Sequence, residues 1–170
     1  MTFSSQPSRR TLRGVLALAA VPLLLLTSSC SIFSDGTPVR DDGEQGVTES
    51  GRADVDKIIV GDCLDSTTNS TVSQVPIVPC AEEHDEEVFG SFTLPPGEFP
   101  TAETLESEGW EQCDALFAEY IGLPYEESAL EYYTLTPTQD SWESRNDRVV
   151  SCIVSDPAGP MTGSLKGAAR

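Results

Sequence analysis

Basic side chains are scarce in this 170-residue chain: 10 Lys and Arg stand against 28 Asp and Glu, a formal charge of −18. A nucleic-acid binder needs the opposite sign, because contacts to phosphate dominate its affinity, so that class is excluded. Histidine is scarcer still. The one copy, His84, is the only base available to a serine hydrolase, and no G-x-S-x-G elbow accompanies it. No C-x-x-C pair occurs, and the spacings of 17, 33 and 39 along Cys63, Cys80, Cys113 and Cys152 do not resemble a zinc ribbon. There is no internal repeat. No apolar run reaches the ~20 residues that a membrane-crossing helix needs; the longest, residues 14–26, has 13.

That run follows Arg9, Arg10 and Arg13 with no acid before it, the order of the basic and hydrophobic segments of an export signal. At its end Thr27-Ser28-Ser29-Cys30 places small residues before a cysteine and resembles the lipobox of bacterial lipoproteins, with Thr27 where leucine is commoner. The resemblance implies cleavage before Cys30, a diacylglycerol on its thiol and often a further fatty acyl chain such as palmitate on the new amine. Each buried methylene contributes ~0.8 kcal/mol, so two or more chains hold a protein on a membrane where one holds it only marginally. The alternative is ordinary secretion with cleavage near Ser29, which leaves Cys30 as an odd thiol in an oxidising compartment. Ser8-Arg9-Arg10-Thr11-Leu12 resembles a twin-arginine signal, whereas the apolar residues 23–26 favour the general secretion route; both stay open.

The expected organisation is a leader over 1–29, a lipidated Cys30 with a disordered tether over 30–54, and one folded domain over 55–170. Residues 31–54 are poor in large apolar side chains and rich in Gly, Ser and Asp. As a flexible chain they reach roughly 25–30 Å. Without the leader the chain carries 28 acids against 7 bases, or −21. An anionic leaflet repels such a domain, so the expectation is a domain that hangs from its lipid and does not lie on the membrane. A solvated acidic surface needs no partner; the sharper reading is a surface that recognises a cationic protein, peptide or divalent ion.

In the folded part, residues 55–60 read as a strand ending at the Gly61-Asp62 turn. Residues 71–80 read as a second strand, placed at an edge or a strand end because Pro76 and Pro79 cannot donate to a ladder. Residues 88–94 make a third. Thr101 is positioned to cap a helix that runs to about Ile121, where Gly122-Leu123-Pro124 stops it. Ala102, Leu105, Gly109, Cys113, Leu116, Phe117 and Tyr120 share one side of that helix, with carboxylates largely on the other. Strands follow at 130–135 and 149–154, joined by a loop that holds Trp142. The expected fold class is α+β: a mainly antiparallel sheet with one long packed helix. The four cysteines of an exported domain form disulfides by default. Of three pairings, the strand order favours Cys63 with Cys80 and Cys113 with Cys152, contributing roughly 3 and 4 kcal/mol on a loop-entropy model.

His84 sits among Glu82, Glu83, Asp85, Glu86 and Glu87, a crowd of carboxylates from which a metal or acid–base site can be built. The same run is equally an exposed turn before a strand, in which His84 makes a hydrogen bond that fixes the turn. Asp41-Asp42-Gly43-Glu44 lacks the alternating ligands of a calcium loop and reads as solvated charge. Trp110 and Trp142, with Tyr132 and Tyr133, either line a groove or belong to the core, the commoner fate of aromatics at helix and strand positions.

The ordered set Gly61-Asp62-Cys63-Leu64, Val78-Pro79-Cys80, His84-Asp85 with Glu87-Val88, Cys113 in a helix, Pro137-Thr138 with Trp142, Asp147-Arg148 before Cys152, and Gly163-Ser164-Leu165-Lys166-Gly167 resembles the septum formation family of actinobacterial envelope proteins. The likeness covers residues 55–169. It departs at Glu83, where proline is expected, and at Asn146, where glycine is expected; Asn tolerates a left-handed turn. The resemblance implies a place in septum or envelope biology and supplies no catalytic residue. The resulting expectation is a non-enzymatic lipoprotein without cofactor on the outer face of the cytoplasmic membrane, attached through acylated Cys30, with division or cell-wall proteins as partners and no nucleic acid. Arg148 is expected to make a buried ion pair or to bond loop carbonyls. The alternatives are a metal-dependent or hydrolytic enzyme centred on His84, and a small-ligand receptor using Trp110 or Trp142.

Overall fold

The computed structural model describes residues 36–40, 46–67 and 73–170. The leader and Cys30 lie outside these residues. Six strands form one antiparallel sheet in the spatial order β1 (Gly51–Asp54), β3 (Gln74–Val78), β2 (Cys63–Leu64), β5 (Glu86–Thr93), β7 (Val149–Ser155) and β6 (Glu131–Leu135). A separate two-stranded ribbon pairs β4 (Glu83–His84) with β8 (Met161–Thr162). One 20-residue helix, α1 (Ala102–Ile121), packs over β5, β6 and β7. This is the α+β architecture expected from the sequence.

The helix begins and ends where its local signals place it. Thr101 Oγ1 accepts from the Thr104 N–H, and Gly122 takes the left-handed conformation at φ 86° while its N–H donates to Ala118 O. Leu105, Gly109, Cys113, Phe117 and Tyr120 are buried in one stripe, whereas Ala102 is exposed. Beneath them Phe89, Tyr132, Cys152 and Val154 complete the main core. The opposite sheet face buries Leu64, Ile77, Val88 and Ile153 with Val47, Ile58 and Val75. Strand β7 therefore sends Cys152 and Val154 to one core and Ile153 to the other, as period-two alternation requires. Both disulfides form in the favoured pairing: Cys63–Cys80 joins β2 to the end of β3, and Cys113–Cys152 pins α1 to β7, with Cα separations of 5.2 and 5.7 Å.

Four expectations change. Residues 55–60 are not a strand: Val55–Lys57 is a 3₁₀ turn, and the Asp62 carboxylate accepts from the Ile59 N–H at 2.8 Å, closing a tight turn through Gly61 at φ 94°. The ordered fold starts earlier than residue 55. Strand β1 pairs along its length with β3, Val39 bridges Glu49, and Val47 is buried. Composition placed these residues in the tether because backbone pairing needs few apolar side chains. Gly51 shows how close the contact is, since a Cβ there would meet Pro38 N at 2.5 Å. Strand β3 has neighbours on both sides, yet Pro76 fits: its carbonyl accepts from the Asp65 N–H just past the end of two-residue β2, so its missing N–H faces a side where the ladder has stopped. Finally, Trp142 is not in a loop but on a short helix, α2 (Gln139–Arg145).

Candidate functional site

The densest polar constellation centres on Glu87. It lies on β5 in phase with the buried Phe89 and has no exposed surface. Its carboxylate accepts from Tyr120 Oη at 2.6 Å, Ser164 Oγ at 2.5 Å and the Leu165 N–H at 2.6 Å. A buried charge is tolerated only with such donors around it. Burial, then the bond to Glu87, pushes the Tyr120 hydroxyl well above its ordinary pKa. The sulfurs of Cys63 and Cys80 and a Glu87 oxygen lie within 4.8 Å of one another, the spacing of a metal-ligand triad. They do not fit one as they stand, because the sulfurs are joined in a disulfide and the carboxylate is already occupied by three donors.

A second buried carboxylate, Asp62, is held by both terminal nitrogens of Arg40, one at 2.7 Å, and by the Ile59 N–H. The bond to Asp62 raises the Arg40 pKa. This is a bidentate pair with the acid fully buried, and it ties residues 36–40 to the turn before β2.

His84 is 1% exposed on β4. Its Nδ1 lies 2.9 Å from Glu82 O, a carbonyl that only accepts, so Nδ1 carries the proton. Its Nε2 is buried without a hydrogen-bond partner. The neighbouring carboxylates do not converge on it. Asp85 accepts from the Ser66 N–H and hydroxyl, which hold its pKa below the usual carboxylate range. Glu86 accepts from Tyr133 Oη at 2.9 Å, while burial raises its pKa and the Asp85 charge adds to the rise. Glu87 faces Tyr120 and Ser164, and Glu82 and Glu83 are exposed.

Trp142 and Arg148 form one unit. The indole is 4% exposed, donates from Nε1 to Gly97 O at 3.1 Å and meets Phe99 edge-on. The Arg148 guanidinium stacks 3.5 Å above it and donates to Trp142 O and Asp147 O. Thr138 and Ser141 cap α2 reciprocally, and Asn146 ends it in the left-handed region at φ 55°. Asp147 then accepts from Ser141 Oγ and the Val149 N–H. Trp110 behaves differently: it is 46% exposed on α1, against Tyr132.

Sequence reasoning placed Glu87 only among the carboxylates around His84 and Asp62 only in a turn, and assigned no role to Arg40. One signal for Glu87 was present, its period-two phase with Phe89. Nothing local marks Arg40 as the partner of Asp62, 22 residues away.

A family model described as Septum formation matches residues 43–169. No curated protein and no solved structure matches the chain. The matched span starts ahead of β1 and contains all eight strands and both α-helices found among the described residues, together with both disulfides. With three quarters of its length in that match, the chain belongs to the Septum formation family and carries a septum formation domain.

Proposed function

We propose that this protein is a lipid-anchored lipoprotein of the outer face of the cytoplasmic membrane, and that its septum formation domain is a non-catalytic interaction module serving septum formation or envelope assembly. The observation that carries the reading is the pair of disulfides, formed within the matched domain by all four cysteines left once Cys30 is set aside. Two such bonds belong to an oxidising compartment. The export signal and the small residues before Cys30 supply the route and the anchor. The absence of catalysis is supported by the use of the buried carboxylates as struts: Glu87 and Asp62 are bound by donors of their own chain.

The test is made on the full chain in cells. Wild type should fractionate with membranes and show an intact mass carrying acyl chains and four oxidised thiols, whereas Cys30→Ala should lose the lipid and leave the membrane fraction. Equal membrane retention of the variant overturns the anchor. Crosslinking followed by recovery from membranes should enrich division or wall-synthesis proteins; recovery of the protein alone overturns the interaction role.

A further inference from the structure

Along the outer side of α1, Glu106, Trp110 and Asp114 recur at four-residue spacing and are all exposed. Such residues are neighbours on a helix surface. The Trp110 ring leans on Tyr132 at 4.8 Å between centroids, and Tyr125 lies 4.6 Å from Tyr132 and 6.3 Å from Trp110. At the base of this patch the Tyr132 hydroxyl is buried and has no hydrogen-bond partner. Burial first, then the charges of Asp114, Tyr125 and Glu126, push its pKa up to about 12. The patch is thus an aromatic surface set in negative potential.

An indole face and neighbouring carboxylates attract the same object, a cation on an apolar stem. Trp142 already has one from its own chain, Arg148 at 3.5 Å. Among the described residues no cation of the chain lies over Trp110, and residues 55–170 hold only 5 bases against 22 acids.

We propose that the Trp110–Tyr125–Tyr132 patch docks a lysine- or arginine-bearing segment of a partner protein, with the cation on the indole face and Glu106, Asp114 and Glu126 as its counter-charges. This rests on the reading of the domain as an interaction module and specifies the chemistry of its partner.

The test is fluorescence anisotropy of a labelled hexalysine peptide titrated with the full chain in neutral detergent at low ionic strength. Saturable binding is expected, weakened about fivefold in Trp110→Ala by loss of the cation–π contact. Trp110→Leu, which keeps apolar packing on Tyr132, should lose as much. The double variant Glu106→Gln/Asp114→Asn keeps the indole and should bind more weakly with a shallower salt dependence. Unchanged affinity in both Trp110 variants assigns binding to diffuse acidic charge and overturns the proposal, as does equal binding of hexaglutamate or no binding of hexalysine. The assay needs neither anchoring nor a cellular partner, so its failure is separate from failure of the cell fractionation or of the crosslinking.

Discussion

Glu87 meets its three donors through two oxygens, so Glu87→Gln replaces one acceptor with an amide N–H₂ facing a donor. The expected cost is about 2–4 kcal/mol, read as a lower urea midpoint at neutral pH; a loss under about 1 kcal/mol refutes the strut. Glu86 tests the opposite sign. Burial raises its pKa, so the folded state binds its proton more tightly than the unfolded chain does, and its charge costs stability above the raised value. That cost is relieved as pH falls through the raised value toward the ordinary ~4.3. Glu86→Gln keeps an acceptor for Tyr133 and is therefore expected to raise Tm at pH 7, with the gain vanishing near pH 4. A gain independent of pH would mean that the charge is not its source. Asp85 runs the other way: held low by Ser66, it stabilises the fold above the ordinary aspartate pKa, and that contribution is lost as pH falls through the depressed value.

Close approach of α1 to the sheet depends on Gly90, the residue just after the bulge in β5. A Cβ there would meet Leu116 Cδ1 at 2.9 Å and Leu116 Cβ at 3.1 Å. Gly90→Ala should therefore cost about 1–3 kcal/mol by overpacking. If this contact is the cause, combining it with Leu116→Ala recovers part of the loss, a coupling of about 0.5 kcal/mol or more in a double-mutant cycle of chemical denaturation. Strict additivity would place the strain elsewhere. The Cys113–Cys152 bond, tying the same helix to β7, bounds how far α1 can lift to relieve the clash.

For the whole molecule, the chain after β8 acts as a strap over one end of the core. Leu165 is buried, Gly167 and Ala169 donate to Tyr120 O and Ile121 O at the end of α1, and Arg170 pairs with Asp156. Removing residues 164–170 strips two of the three donors from Glu87 and exposes the apolar surface under Leu165. The truncation is expected to cost about 4 kcal/mol or more, measured by urea unfolding. A truncated chain with an unchanged midpoint would show that the strap carries no stability.

Much of what acts within a turn or a strand was legible in the sequence itself. The caps at Thr101 and Gly122 and the β-branched run of β7 needed only neighbours in the chain, because capping and backbone propensity are local effects, and the cysteine parity needed only a count. The α2 cap was also local, but Ser141 stands where Glu or Gln makes the familiar box, and it was missed. The tertiary structure alone decided the rest. A four-residue β1 or a two-residue β4 carries too little pattern to be read, and each exists because a distant strand offers matching hydrogen bonds. Glu87 became a buried strut through donors 33, 77 and 78 residues along the chain, and Trp110 stayed outside because its helix turns that position away from the core. A carboxylate in water and one buried among three donors look identical in sequence; only the fold brings the donors that make burial tolerable.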